Sequence, residues 1–111
     1  MMNLSTFSLA DFEASAGKAA GLLRTLGNEK RLMILCQLGD AELPAGALQE
    51  PLGLSQSALS QHLAVLREAG VLATRRDAQT IFYRVADPAA VKVIETLAAI
   101  FCPDKPARKK K

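Results

Sequence analysis

The sequence predicts a single, mainly α-helical domain that carries one β-hairpin. Three observations support this fold class: a length of 111 residues, few aromatic side chains, and a change in the period of the apolar residues between positions 71 and 85. A chain of this length can build one hydrophobic core but not two. Because half of the residues are hydrophobic and only 5% are aromatic, Ala, Leu, Val and Ile must do the packing, as in small helical proteins.

Apolar residues at helical spacing predict the first two helices. We expect the first helix over residues 11–26, with Asp11 as its N-cap and Gly27 at its end. The second helix follows the natural N-cap Asn28 and stops at Gly39.

A short third helix and a fourth helix follow. Pro44 suits the first turn of the third helix, which ends near residues 51–53. Ser55 caps the fourth helix, whose leucines fall at spacings of four and three, and Gly70 ends it.

The period then changes from helical to extended. Residues 71–76 and 80–85 are rich in β-branched and aromatic side chains and predict a hairpin that turns at residues 77–79. Asp87 and Pro88 then open a last helix, which ends before Pro103. Two helices joined by a tight turn and followed at once by a hairpin form a helix-turn-helix with a β-hairpin wing, a winged helix-turn-helix.

The charge distribution suggests three parts. Five of the 14 Lys and Arg residues lie in the last eight positions, which raises the isoelectric point to about 9.1 while the body stays near neutral. We expect a flexible N-terminus at residues 1–10, the DNA-binding and dimerisation domain at 11–103, and a disordered basic tail at 104–111. The tail is interpreted as a solvated terminus, with contact to a phosphate backbone as the alternative.

The sequence also predicts a cytoplasmic protein. A signal peptide begins with basic residues, but none precedes Lys18. No apolar run approaches the ~18 residues of a membrane span. In a reducing compartment Cys36 and Cys102 should be thiols at rest, and a permanent disulfide is not expected.

The fourth helix carries the residues expected to contact bases. At 100° per residue, Ser57, Ser60 and Gln61 lie opposite the leucine stripe, and Gln56 lies at their flank. Gln can pair with adenine edges, Ser can bind any base or phosphate, and the N-terminal end of the helix attracts phosphate. The alternative is an ordinary solvated face, but such faces usually carry Glu and Lys, and the first two turns here carry no charge.

Basic residues outside that helix are candidates for contact with the DNA backbone. Arg75 and Arg76 in the hairpin, with Gln79 in its turn, fit a phosphate or minor-groove contact, and so do Lys30 and Arg31 near the start of the second helix.

Three further polar residues are not assigned to DNA. His62 lies on the side of the apolar stripe, and we expect it to pack beneath the wing rather than to bind a ligand or a base. Arg67 and Arg84 fit a role in surface ion pairs as well as a role in DNA contact, so neither is assigned to DNA.

The segment LSQSALSQHLAVLREAG (residues 54–70), followed by a wing with IFYR (residues 81–84), resembles the ArsR family of bacterial repressors. The similarity runs from about the first helix to Cys102, nearly the whole chain. It implies a homodimer joined through the first and last helices and bound to a palindromic DNA operator.

Most members of that family resemble metal sensors, but neither of their ligand sets is present here. Residues 39–48 contain no Cys or His, the last helix contains no His, and His62 is the one histidine of the chain. Zn²⁺ needs about four N, S or O ligands. We therefore expect neither a metal site nor another cofactor.

One cysteine inside the second helix and one before the proline that ends the last helix, Cys36 and Cys102, resemble the persulfide-sensing branch of the family, the BigR and SqrR type. The resemblance implies that reactive sulfur species join the two thiols through a disulfide or polysulfide, that the DNA is then released, and that the regulated genes serve sulfide detoxification.

The residues themselves leave other readings open. The same two thiols would also suit a repressor that responds to oxidants or to soft metal ions. If the cysteines are instead buried and inert, the chain could be an architectural DNA-binding protein. A thiol-disulfide exchange enzyme is disfavoured because the sequence has no Cys-x-x-Cys and no βαβ pattern, so the chain is not expected to be an enzyme.

Overall fold

The computed structural model describes residues 8–102, and its fold is a winged helix-turn-helix. Its elements are α1 (Leu9–Leu26), α2 (Glu29–Leu38), β1 (Leu43–Pro44), α3 (Ala45–Leu52), α4 (Gln56–Glu68), β2 (Leu72–Asp77), β3 (Thr80–Val85) and α5 (Pro88–Phe101). The predicted fold class and the order of its helices and hairpin are confirmed. The predicted basic tail and most of the N-terminal segment lie outside the described residues.

The start of α1 corrects the expectation that Asp11 is the N-cap. The helix begins at Leu9, and the Ser8 side chain accepts a hydrogen bond from the Asp11 backbone N–H at 3.3 Å. Asp11 therefore lies in the first turn, where its negative charge favours the positive end of the helix dipole.

The other three predicted caps are confirmed. Asn28 accepts from the backbone N–H groups of Lys30 and Arg31 at 2.9 and 3.1 Å. Ser55 accepts from the N–H of residue 58 at 3.1 Å, and Asp87 accepts from that of residue 89 at 2.9 Å. Each cap satisfies donors that have no partner inside the helix, and so fixes where α2, α4 and α5 begin.

The sheet contains a strand that the sequence analysis missed. β1 pairs antiparallel with β3, with Leu43 opposite Tyr83 and Pro44 opposite Phe82, and the order of strands is β1-β3-β2. A strand of two residues is too short to show an alternating pattern. Pro44 is accordingly the N-cap of α3 and not a residue of its first turn, as we had expected.

The core lies between α2, α3, α4 and the base of the wing. Its largest fully buried side chains are Ile34, Leu38, Leu48, Leu59, Leu66 and Val71. Burial of a side chain of this size stabilises a fold by about 1.5–3 kcal/mol. These contacts set the orientation of α4 relative to α2.

The helices α1 and α5 contribute little to this core. Only Leu26 of α1 and Ala90 of α5 are buried, whereas several large apolar side chains of the two helices are exposed. These exposed residues are Leu9, Phe12, Leu23, Val91, Ile100 and Phe101. None of the helices within residues 8–102 is long and apolar enough to span a membrane. The two helices therefore present apolar surface that a single chain does not cover.

The turn of the wing has a strained residue. Asp77 pairs with Thr80, so the turn has two residues, and Ala78 adopts a φ of 57°. Positive φ costs an L-residue roughly 1–2 kcal/mol, and hairpin turns of this kind favour glycine.

We predict that Ala78→Gly raises the free energy of unfolding by about 0.5 kcal/mol, because the strain relieved exceeds the entropy that glycine adds to the unfolded chain. Ala86→Gly is the matched control: Ala86 does not have a positive φ, so this change should lower stability by about 0.5–1 kcal/mol. Urea unfolding measures both. Equal destabilisation by the two changes would contradict the strain.

Candidate functional site

The polar face of α4 is accessible, as the helical spacing predicted. Gln56, Ser57, Ser60 and Gln61 are exposed, while the three leucines of the opposite stripe are buried. The first turn of α4 has no acidic residue, so no carboxylate neutralises the positive end of its dipole. This face can approach both a phosphate and the edges of bases.

In the wing, Arg75 is held by the protein itself. Its guanidinium forms an ion pair with Glu42 at 2.9 Å, and it stacks over the ring of Phe82 at 4.7 Å from the ring centre. Hydrogen bonding from Arg75 lowers the pKa of Glu42, and Glu42 in turn raises the pKa of Arg75. Because Glu42 precedes β1 and Arg75 lies in β2, this contact joins both edges of the sheet.

Arg76 points to the other face of the wing. It lies opposite Ile81, on the face that also carries the buried Leu72 and that packs against α4. No hydrogen bond or ion pair with another described residue holds its side chain. Gln79 is exposed in the turn beside it. Arg76 and Gln79 are therefore the wing residues best placed to bind a partner on the same side as α4.

The two basic residues at the start of α2 make contacts within the chain. Lys30 Nζ donates to the carbonyl of Leu52, at the end of α3, at 3.3 Å. Arg31 donates to the carbonyls of Thr25 and Arg24, at the end of α1, at 2.6 and 3.3 Å. Each side chain keeps further N–H donors, so the expected phosphate contacts stay predictions, but both residues also hold neighbouring helices in place.

His62 is half-buried on α4. Burial lowers the pKa of His62, and the positive charge of Arg31 lowers it further. The charged neighbour of His62 therefore lies on α2.

The two cysteines belong to adjacent parts of the fold, Cys36 on α2 and Cys102 at the C-cap of α5. Both are free thiols with exposed side chains. Partial burial raises the pKa of Cys36, and the charge on Cys102 raises it further. Cys36 lines a groove with Ala98, and the N–H of Cys102 donates to the Ala98 carbonyl at 2.7 Å, one turn further along α5. Cys102 therefore lies one turn beyond a residue that shares a groove with Cys36.

No metal-binding cluster accompanies this pair in the described part of the chain. Within residues 8–102, no three His, Cys, Asp or Glu side chains lie close enough together to hold a metal ion. The cysteines are the reactive groups that the fold brings together.

The clamp between Glu42 and Arg75 was not foreseen. The two residues are 33 positions apart, and β1, which brings Glu42 to the sheet, has no sequence signature. A lone acidic residue before a short helix gave no signal that could have been used.

Known proteins resemble the chain over most of its length. Residues 28–74 match the family model described as "Bacterial regulatory protein, arsR family". The chain is 47% identical to the transcriptional activator HlyU of Vibrio cholerae over 86% of this chain and 88% of that protein. It is 45% identical to the biofilm growth-associated repressor of Agrobacterium fabrum over 91% of this chain and 86% of that protein.

Solved structures agree with the sequence matches. The crystal structure of the transcriptional repressor BigR from Xylella fastidiosa superposes with a TM-score of 0.80 at 41% identity, over 86% of this chain and 98% of that one. At this identity the likeness extends beyond the fold to the family.

We predict different effects for the two kinds of candidate DNA contact. Gln61→Ala should weaken binding to a specific operator by about 1–3 kcal/mol and leave binding to random duplex nearly unchanged. Arg76→Ala should weaken both and reduce the salt slope by about one unit. Arg84→Ala, which removes an exposed arginine from the opposite face of the wing, is the control and should do neither. Fluorescence anisotropy at several salt concentrations measures all three, and equal losses on both duplexes for Gln61→Ala would refute its assignment.

Proposed function

The chain belongs to the ArsR family of bacterial transcriptional regulators, and on that premise we propose that it is a dimeric repressor that releases its operator when Cys36 and Cys102 are joined by a sulfur bridge. The observation that carries the proposal is the adjacency of α2 and α5: Cys36 and Ala98 line one groove, and Cys102 lies one turn beyond Ala98. Like its relatives, the protein is a regulator and not an enzyme.

The DNA half of the proposal rests on two surfaces. The polar face of α4 enters the major groove, where Gln56, Ser57, Ser60 and Gln61 contact base edges and phosphates. The tip of the wing, with Arg76 and Gln79, contacts the flanking backbone or minor groove. Arg75 supports the wing through its clamp to Glu42 and contacts phosphate only with the donors that the clamp leaves over.

The dimer half rests on apolar surface. The side chains of Leu23, Ile100 and Phe101 are 60%, 60% and 75% exposed, and all lie on α1 or α5. Burying such side chains against a second copy removes apolar area from water, which favours association. A two-fold dimer then places two copies of α4 one DNA turn apart, about 34 Å, on a palindromic operator.

The chemistry needs no reactant besides the sulfur donor. A thiolate of the protein attacks the outer sulfur of a persulfide RSSH, a cysteine persulfide forms, and RSH leaves. The second thiolate then attacks the inner sulfur of that persulfide and expels hydrosulfide, which leaves a disulfide. Two thiols and one persulfide thus give one disulfide, one RSH and one H₂S. Genes that dispose of sulfide are the targets that such an inducer would suit.

Coupling to the DNA surface follows from the position of α2. Its C-terminal half carries Cys36, while Lys30 at its start holds the end of α3 through the Leu52 carbonyl, directly before the turn into α4. A bridge that pulls the end of α2 towards α5 also moves Lys30, because a helix of this length behaves as a rigid element. The α3–α4 unit then shifts relative to its copy in the dimer, and paired half-sites tolerate little such shift.

The first test is the cysteine pair. Cys36→Ser and Cys102→Ser should bind operator normally when reduced, because Ser is close to Cys in size, and both should stay bound after treatment with a persulfide donor. The wild type should leave the DNA and recover with dithiothreitol. Intact mass of the treated wild-type monomer should show a loss of two hydrogens, accompanied by a gain of whole sulfur atoms if the bridge is longer, with no free thiol.

Peroxide and Cd²⁺ are the comparison treatments. The proposal expects persulfide to release DNA at concentrations at which these two do not. If persulfide releases the Cys102→Ser protein from DNA as readily as wild type, the two-thiol bridge is wrong. If peroxide or Cd²⁺ releases the wild type preferentially, the inducer is an oxidant or a soft metal ion and not a persulfide.

The second test is Lys30→Met, which keeps the length of the side chain and removes its donors. If Lys30 couples α2 to α3, the reduced variant should bind operator within about twofold of wild type. Bridging should then change the operator affinity of the variant several-fold less than it changes that of wild type. If Lys30 instead contacts phosphate, affinity of the reduced protein should fall and the salt slope should decrease by about one. Anisotropy of the reduced and the bridged forms distinguishes the two.

A further inference from the structure

The groove beside Cys36 has an acidic character that the chemistry above does not use. It lies between the end of α2 and one face of α5 and has a volume of about 280 Å³. Its walls are mostly apolar, formed by Leu35, Val85, Val91, Ile94 and Ala98. Cys36 is one of the lining residues, so a molecule held in the groove lies beside this thiol.

Two carboxylates, those of Asp40 and Glu95, also line the groove. Asp40 follows the glycine that ends α2, and Glu95 lies on the α5 face that carries Val91 and Ala98. No Lys, Arg or His is among the described residues of the lining, and neither carboxylate forms an ion pair within residues 8–102. Both negative charges therefore act on whatever enters.

We propose that Asp40 and Glu95 select, by charge, the sulfur donor that reaches Cys36. Persulfides whose organic part is neutral or carries an amine enter the groove, and persulfides that carry carboxylates are held off. This inference rests on the proposed function, because it assigns the specificity of the thiol that the function uses. Asp40 and Glu95 change how often a charged donor reaches the groove, while the Cys36 thiol carries out the reaction.

The size of the effect follows from Coulomb's law. A unit charge a few ångströms from two carboxylates at a partly solvated surface gains or loses enough energy to separate a cation from an anion by roughly tenfold in rate, less at high salt. An uncharged groove would show no such separation and no dependence on salt.

The test uses full-length Cys102→Ser protein, in which Cys36 is the one thiol. The probes are 2-aminoethyl and 2-sulfonatoethyl methanethiosulfonate, which are similar in size and opposite in charge. In each case the Cys36 thiolate attacks the sulfenyl sulfur, a mixed disulfide forms, and methanesulfinate leaves. Rates from intact mass are divided by the rates of the same probes with a neutral cysteine derivative, which cancels their intrinsic reactivity.

The normalised cation-to-anion ratio should be about ten at low ionic strength and should fall towards one in 1 M salt. In Asp40→Asn/Glu95→Gln it should be close to one at both salt concentrations. Both probes consume the same thiolate, so a change in the pKa of Cys36 in that variant cancels from the ratio. Glu68→Gln removes the same charge from the end of α4, outside the groove lining, and should keep the ratio of the parent protein.

A normalised ratio near one in the parent, or a ratio that survives neutralisation of both carboxylates, would overturn charge selection. Its failure is separable from failure of the proposed function, because release of wild-type protein from DNA by a persulfide donor is measured independently. Release without charge selection would refute this inference alone, and absence of release would refute the sulfur bridge.

Discussion

The packing of the α4 leucine stripe against α2, α3 and the base of the wing is the constraint on which the rest of the structure depends. Leu59, Leu63 and Leu66 are buried, and a helix with one face fixed in a core must present the opposite face to solvent. The uncharged polar residues of α4 are exposed for that reason. Replacing one of these leucines by alanine would cost about 2–5 kcal/mol, so the orientation of the reading face and the stability of the domain cannot be changed separately.

The same core makes α2 the mechanical centre of the molecule. Ile34, Leu35 and Leu38 are buried in the common core, and Leu35 and Cys36 line the groove that α2 shares with α5. Side-chain hydrogen bonds at its N-terminal end hold the last carbonyls of α1 and α3. One helix of ten residues thus contacts the end of α3 at its start and lines the groove with α5 near its end. In the proposed mechanism, a covalent change at Cys36 would reach the α3–α4 unit through this helix.

The helices α1 and α5 have the opposite character. They bury little within one chain and expose large apolar side chains, which is costly unless a second copy covers them. The face of α5 that carries Ala98 and lines the groove is distinct from the one that carries Ile100, because positions two residues apart differ by about 200° around a helix. In the proposed mechanism, α5 contacts the Cys36 groove on one side and the second copy on the other, and a sulfur bridge would alter the dimer through this helix.

Local signals in the sequence determined most of the fold. The caps at Asn28, Ser55 and Asp87 were predictable because they act through hydrogen bonds within a few residues. The buried face of α4 was predictable because the spacing of its leucines indicates it. The reading face of α4 followed from the same spacing. The start of α1 was misplaced because Ser8 and Asp11 both suit a cap, and the choice depends on backbone angles that the sequence does not state.

Only the tertiary structure decided contacts between distant residues. The two-residue strand β1, the clamp of Arg75 to Glu42 and the bond from Lys30 to Leu52 join positions 22 or more apart, and no periodicity encodes such contacts. The sequence supplied two cysteines and a family resemblance, while the fold supplied the adjacency of α2 and α5 and the acidic groove beside Cys36. Local bonding can be read from a sequence because it depends on neighbours, whereas the environment of a thiol depends on which helices the core brings together.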